Sequence, residues 1–400
     1  MNLKLLVLLL IILSFRFYFF YSNQHQFADK QQVSFETTIL SQPQVFGSRQ
    51  AFTANYQNQK IRITTSRFPE LNYGDFVRIF GRISNQNNRV LMYFPKIEIL
   101  KDKSFLGGSL KAINRLREKM ISLFSKTLPT PASSLLLGII FGIKEQMPKD
   151  FSDNLKTSGV FHVIAASGMN VTLVGGFIST FCAFFLKRQI AIGLSILGII
   201  FYAVLAGLEA SIIRASIMGI LVFSAQIIGR QTLAVNGLFL AGFIMLFIDP
   251  TLISDIGFQL SFAATLGLIL IPKIRAIGEI RVIGDSINTT IAAQIATLPI
   301  LLANFGTHSI YSVLVNGLVL WTVQILMVIG GIGALIGLVF MPLGQFVIYI
   351  SYPLLIYFET IVQIFGKIGG IITLQSVPWQ FIAGYYCLLT SILIVFKRKK

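Results

Sequence analysis

The chain has 400 residues, of which 54% are hydrophobic and only 12% charged, with a net charge of +17 and a mean hydropathy of +0.75. Soluble domains carry roughly a quarter charged residues, so these charges are too few to solvate a globular surface, and a wholly soluble protein is excluded. Three histidines (His25, His162, His308) without HxH or HExxH spacing, and two cysteines (Cys182, Cys387) in apolar stretches, leave no dedicated metal site and no disulfide framework to expect.

Residues 3–21, "LKLLVLLLIILSFRFYFFY", hold about enough apolar residues to cross a bilayer once. A cleaved signal peptide is the competing reading. The long apolar region, the missing A-x-A site and the closing aromatics favour an uncleaved anchor over residues 1–21, with Arg16 snorkelling to the interface.

Residues 22–104 are polar and alternate in several runs, "VSFETTIL", "QKIRITT", "GDFVRIFGRI" and "RVLMYFPKIEIL". Period-2 alternation bounded by turn residues predicts short strands, and this many in one small domain fits an OB-like β-barrel. Arg78, Phe80 and Arg82 share one face, with Val77, Ile79 and Ile83 on the other; Lys60 and Arg62 oppose Ile61 and Ile63. The segment has 11 Lys/Arg against 6 Asp/Glu. Basic residues around an aromatic suit single-stranded nucleic acid, while an ordinary solvated sheet face is the reading this signal favours when taken alone.

Residues 105–128 follow as an amphipathic helix. Leu110, Ile113, Leu116, Met120 and Phe124 fall on one stripe and Lys111, Arg115, Glu118, Lys119 and Lys126 opposite, the pattern of a helix lying on a membrane surface. From residue 129 onward the chain is expected to be a transmembrane domain. "SSLLLGIIFG" (133–142) is too short to cross and reads as a re-entrant or half span. Spans are predicted at 160–186, 190–206, 210–228, 232–248, 257–271, 287–305, 309–340, 345–366 and 380–396, for about 9–11 membrane segments in all. The 309–340 stretch is long and holds "GGIG", where a break is expected. Lys187/Arg188, Arg230, Lys273/Arg275/Arg281 and the terminal "KRKK" all fall on one side of this parse, the cytoplasm by the positive-inside rule. Both termini are then cytoplasmic and residues 22–132 exterior.

Polar residues within membrane segments are expensive and tend to line cavities or pathways. They are numerous here: His162, Ser167, Asn170, Glu209, Arg214, Gln226, Asn236, Asp255, Gln259, Asn288, Gln294, Asn304 and Asn316. Arg214 has two carboxylates as expected partners, Glu209 near it in sequence and Asp255 on another span. Asn and Gln can also simply join helices. A His162–Ser167 hydrolase dyad is disfavoured, because five positions on a helix diverge by about 140°.

"LLLGIIFGIKEQMPKDFSDNLKTSGVFHVIAASGMNV" (135–171) resembles the signature of the ComEC family, the membrane channel of natural competence. The likeness continues through "IIRASIMGIL" (212–221), "DPTLISDIGFQLSFAATLGLIL" (249–270) and "AAQIATLPILLANFGTHSIYSVLVNGLVL" (292–320), in the family's order. An anchor followed by an OB-like domain is also the family's arrangement. The resemblance implies a polytopic α-helical channel with an N-terminal exterior OB-like β domain, importing single-stranded DNA across the cytoplasmic membrane. With the resemblance, the intramembrane polar residues His162, Ser167, Asn170, Glu209, Arg214, Asp255, Gln259 and Asn304 are expected on the DNA pathway. Of these, His162, Ser167, Arg214, Asp255 and Gln259 match the family's blocks. The basic strand faces with Lys60, Arg62, Arg78, Phe80 and Arg82 are expected to bind DNA in the exterior domain. Asn170 stands where the family usually has a second histidine. Many members also end in a metallo-β-lactamase-like nuclease domain, whereas this chain ends at "FKRKK", so no catalytic residues, metal or cofactor are expected. The partners implied are single-stranded DNA, membrane lipid, a DNA receptor outside, a separate nuclease and a cytoplasmic ATP-driven helicase or translocase, since no GxxxxGK[ST] loop occurs. A secondary transporter of another solute, or an anchored DNA-binding or assembly protein, are the alternative functions.

Overall fold

The computed structural model describes residues 3–23, 27–39, 43–57, 59–86, 89–100, 105–143, 147–164, 168–208, 210–227, 234–272, 281–373 and 378–398. Contacts divide the chain into two compact units, Met1–Ser122 and Leu123–Lys400.

The first unit opens with α1 (Leu3–Ser22), where the Arg16 guanidinium lies 5.5 Å from the Phe20 ring. Seven strands follow: β1 (Gln32–Thr38), β2 (Gln44–Phe46), β3 (Arg49–Tyr56), β4 (Gln59–Ser66), β5 (Phe76–Gln86), β6 (Arg89–Tyr93) and β7 (Lys96–Leu100). They form one curled sheet in the order β1-β5-β6-β4-β3-β2, with β7 added on β5. All pairs are antiparallel except β4 with β6. Alternation works as the sequence demands: Phe35, Phe52, Ile61, Ile63, Val77, Ile79, Ile83 and Met92 point inward and form the core. Tyr56 stacks on Phe35 at 4.5 Å.

Strand β5 serves three partners, pairing β1 over residues 76–82 and β7 over 76–80 before it pairs β6 with its last four residues. Gly81 marks the change. A Cβ there would stand 2.8 Å from both Met92 Sδ and Pro95 Cβ, so the close approach of β6 requires glycine. The helix α2 (Phe105–Thr127) spans the division between the units. Its buried stripe includes Asn114 and Arg117 as well as the expected Met120 and Phe124, and Lys111 pairs with Asp75 at 3.4 Å.

The second unit is helical. Its elements are α3 (Ala132–Phe141), α4 (Lys149–Thr157), α5 (Gly168–Ala183), α6 (Arg188–Leu205), α7 (Ala210–Ile227), α8 (Ala234–Ile248), α9 (Ile256–Leu270), α10 (Arg281–Phe305), α11 (Ser312–Val339), α12 (Met341–Ile350), α13 (Tyr352–Ile368) and α14 (Trp379–Arg398). Two short strands, β8 (Thr307–Ser309) and β9 (Ile371–Thr373), pair antiparallel. Among the described residues, α6, α7, residues 287–305 of α10, and α11 are long and apolar enough to cross a membrane. The α12–α13 pair, bent by 44°, makes a fifth if it counts as one span. The other expected spans are apolar helices of 10–17 residues, shorter than the ~20 residues that cross a 30 Å hydrocarbon layer. The chain is a polytopic helical membrane protein with an N-terminal β domain.

The short apolar segment at 133–142 is α3, a helix of 10 residues, every one of them buried. One expectation for this unit changes. The 309–340 stretch does not break at "GGIG": α11 runs unbroken over 28 residues. Its glycines serve contact instead. A Cβ at Gly330 would meet Ile140 Cδ1 at 2.5 Å, and one at Gly333 would meet Ile348 Cγ1 at 2.6 Å. Small residues at helix interfaces let backbones approach, which is why a glycine pair need not interrupt a membrane helix.

Candidate functional site

Three segments that are far apart in sequence converge around Arg214. The residue sits in the second turn of α7 and is only 8% exposed. Its Nε donates to Ser261 Oγ at 2.9 Å, and Nη1 donates to Thr265 Oγ1. Ser261 and Thr265 lie four positions apart on α9 and therefore on one face, with Phe262 beside them, its ring 6.0 Å from the guanidinium carbon. The third segment is the first residue of α5. A Cβ on Gly168 would stand 3.4 Å from Arg214 Nη2 and 3.3 Å from Ala215 Cβ.

Of the two expected carboxylate partners, the one the structure describes, Asp255, is engaged elsewhere. Asp255 caps the N-terminus of α9, its Oδ1 accepting from the Phe258 N–H at 2.8 Å, which is the position where a short acidic side chain best satisfies free amides. Glu209 lies outside the described residues. Among the described residues, then, Arg214 is met by hydroxyls, a thioether (Met218 Sδ at 3.9 Å) and a ring face, with no carboxylate in ion-pair distance. The N-terminal end of α5 adds the positive end of a helix dipole beside it.

The remaining expected pathway residues are placed differently. Asn170 is 2% exposed and its Nδ2 donates to the Ile139 carbonyl at 2.7 Å; Tyr202 Oη donates to the Ile140 carbonyl at 2.7 Å. Both are carbonyls in the last turn of α3, which lacks further helix to bond them, so these side chains close a helix end inside the unit. His162 lies in the short 3₁₀ turn Phe161–Ile164. Gln259 Nε2 donates to the Ile253 carbonyl at 2.8 Å and Asn304 Nδ2 to the Ile300 carbonyl at 2.8 Å. Ser167 is outside the described residues. Thr265 and Phe262 were not singled out from sequence; the i, i+4 hydroxyl pair on an otherwise apolar helix was the available signal.

In the β domain, Arg78, Phe80 and Arg82 do share the outer face of β5, but Arg78 is engaged by acids on both sides. Its Nη2 and Nε lie 2.6 and 2.9 Å from Glu36 Oε1, and Nη1 lies 4.0 Å from Glu98 Oε2. Glu98 also pairs with Lys96 at 3.1 Å. The flanking strands β1 and β7 bring these acids alongside, which spacing within β5 cannot reveal. Lys60 and Arg62 project from β4 opposite the buried Ile61 and Ile63.

A family of competence proteins matches residues 139–399 of the chain. ComE operon protein 3 of Bacillus subtilis (strain 168) is 27% identical over 207 residues, which is 50% of this chain and 26% of that protein. An uncharacterized protein of Aquifex aeolicus (strain VF5) is 28% identical over 189 residues, 45% of each chain. The matched stretches thus span less than half the length of either relative. No solved structure matches the chain.

Proposed function

The chain belongs to the competence protein family, and from that premise we propose that it is the channel through which single-stranded DNA enters the cytoplasm during natural transformation. The observation that carries this reading is Arg214. A cation buried among hydroxyls at a helix N-terminus, with no carboxylate beside it among the described residues, is the electrostatic arrangement that a moving polyanion needs. A dense basic ring would hold the strand; one guanidinium backed by neutral donors and acceptors attracts each phosphate and releases it. Gly168, Arg214 and Ser261, which converge here, lie in three of the blocks that carry the family resemblance.

In this reading the protein resides in the cytoplasmic membrane with both termini inside and the β domain outside. The strand reaches it from an exterior DNA receptor after a separate nuclease has removed its complement, and a cytoplasmic ATP-driven helicase or translocase draws it inward. The protein itself moves DNA without cleaving it. The test is uptake of labelled DNA into a nuclease-protected cytoplasmic pool in wild-type cells, a deletion strain and the complemented deletion. Uptake that persists unaltered in the deletion strain would end the proposal.

A further inference from the structure

The outer face of the β domain carries a second cluster of cations and aromatics, away from Arg78. Across the β3–β4–β6 ladders, Thr53, Arg62 and Leu91 form one row and Ala51, Thr64 and Tyr93 the next. Arg49, opposite Ser66, follows. Beyond Tyr93 the chain turns into β7 through Phe94, whose N–H donates to the Thr64 carbonyl at 2.7 Å and whose φ is +48°. A bulky side chain rarely adopts that left-handed backbone. Here it holds the Phe94 ring 55% exposed, with the Arg49 guanidinium 5.3 Å from its centre.

The same end is extended by Arg67 and Phe68, whose guanidinium and ring lie 5.8 Å apart. Phe68 is 70% exposed. The loop bearing it is clamped from below by the buried Gln50. Its Nε2 donates to the carbonyls of Ser66, Arg67 and Pro69, and its Oε1 accepts from the Leu71 N–H. Rings and guanidinium groups are thus presented on fixed backbone. Of the cations in this cluster, Arg67 meets Glu70 at 3.6 Å, while Arg49 and Arg62 have no carboxylate in ion-pair distance among the described residues.

We propose that this face, with Arg49, Arg62, Arg67, Phe68, Tyr93 and Phe94, is a stacking platform for single-stranded DNA. It rests on the import reading, keeps Arg62 of the expected exterior contact and replaces the Arg78–Phe80–Arg82 face by the aromatic and basic residues of the β4–β6 side. Exposed rings stack bases whatever their identity, and adjacent guanidinium groups meet the phosphates between them. A membrane-seated face would surround its aromatics with aliphatic side chains. In the rows of this one, Thr53, Thr64 and Ser66 stand with Arg49 and Arg62, and Leu91 is the one large aliphatic residue.

The test uses the full chain in zwitterionic nanodiscs, with labelled oligo-dT and an abasic strand of equal length at low salt. Arg49→Ala/Phe94→Ala is expected to weaken oligo-dT binding about tenfold or more and to remove its preference over the abasic strand. Tyr93→Ala, on a regular strand position, is expected to do the same in part and guards against a folding defect at Phe94. Arg78→Ala/Phe80→Ala is expected to stay within about twofold of wild type. Platform variants that bind oligo-dT like wild type, or a wild type that binds no oligonucleotide, overturn the proposal. Unchanged oligonucleotide binding with lost capture of added anionic vesicles assigns the face to lipid and overturns it equally. The uptake assay in the deletion strain decides the import reading independently of these binding results.

Discussion

Arg214 has to be stabilised by something, because an arginine placed at depth in a bilayer costs at least ~2.5–3.5 kcal/mol. Ser261 and Thr265 stabilise it here, and they do so through the two-pronged shape of the guanidinium, one hydroxyl on Nε and the other on Nη1. A lysine ammonium is a point charge and engages such a pair poorly. Arg214→Ala is therefore expected to abolish DNA uptake while the protein accumulates in the membrane, and Arg214→Lys to restore less than about a tenth of it, a loss of ~1.4 kcal/mol or more. Uptake assays paired with membrane immunoblots check this. Normal uptake in Arg214→Ala removes the residue from the path; disappearance of the protein from the membrane makes its role structural. The same attention to partners separates Arg78, held between Glu36 and Glu98, from Arg62, whose strand neighbours Thr53 and Leu91 are uncharged.

Within the helices, backbone groups orphaned by sequence features are recovered by side chains from other helices. Pro299 lies inside α10 and has no N–H for the Ile295 carbonyl. Tyr385 Oη of α14 donates to that carbonyl at 2.9 Å, and Tyr386 Oη donates to the Ala296 carbonyl at 2.8 Å. Hydrogen bonds between membrane helices average ~0.6 kcal/mol and reach ~1.7 kcal/mol. Tyr385→Phe/Tyr386→Phe should accordingly lower stability by about 1–3 kcal/mol, read as a lower melting temperature in detergent. Close approach makes a sharper demand between α11 and α12. A Cβ on Gly344 would lie 2.3 Å from Gly337 Cα, a backbone atom with nowhere to go. Gly344→Ala is expected to force these helices apart and reduce accumulation severely, whereas Gly331→Ala, with nothing within 4 Å, should be tolerated. Equal accumulation of the two variants would show that this contact is not required.

At the level of the whole molecule, the net charge of +17 meets a substrate that is a polyanion in the proposed function. Binding of single-stranded DNA to the full chain should then fall steeply with salt, because each neutralised phosphate releases counterions. Four phosphate contacts predict a loss of about 50-fold between 50 and 200 mM salt. A salt-independent affinity measured by anisotropy would contradict an electrostatic contact. Chemistry on the strand is a separate matter. Among the described residues no group of three or more His, Cys, Asp and Glu side chains is placed to hold a metal ion. The purified chain is expected to leave DNA intact with Mg²⁺, Mn²⁺ or Zn²⁺, and degradation that survives stringent purification would reveal a site formed elsewhere.

Composition alone excluded a soluble protein, and alternation alone marked the strands, because burial of every second side chain leaves a period that needs no neighbour to be seen. Val77, Ile79, Ile83 and Ile61 are buried as that period requires. Most helix positions in the second unit followed from apolar length in the same way, but the predicted 345–366 span is divided at Ser351 into α12 and α13, and the one predicted from 160 opens on a 3₁₀ turn with its helix at 168–183. What a residue touches across elements was not available from either signal. The glutamates that hold Arg78 come from β1 and β7, the hydroxyls that hold Arg214 come from α9, and the carbonyl that Asn170 meets belongs to α3. A lone polar residue in an apolar run looks alike whether it lines a path or closes a helix end, since sequence records its cost and not its partner. Asn170 and Arg214 share that appearance, and only the packing of α3, α5, α7 and α9 distinguished them: the helix end that meets Asn170 is buried and complete, while the guanidinium of Arg214 is left with its charge unmatched among the described residues.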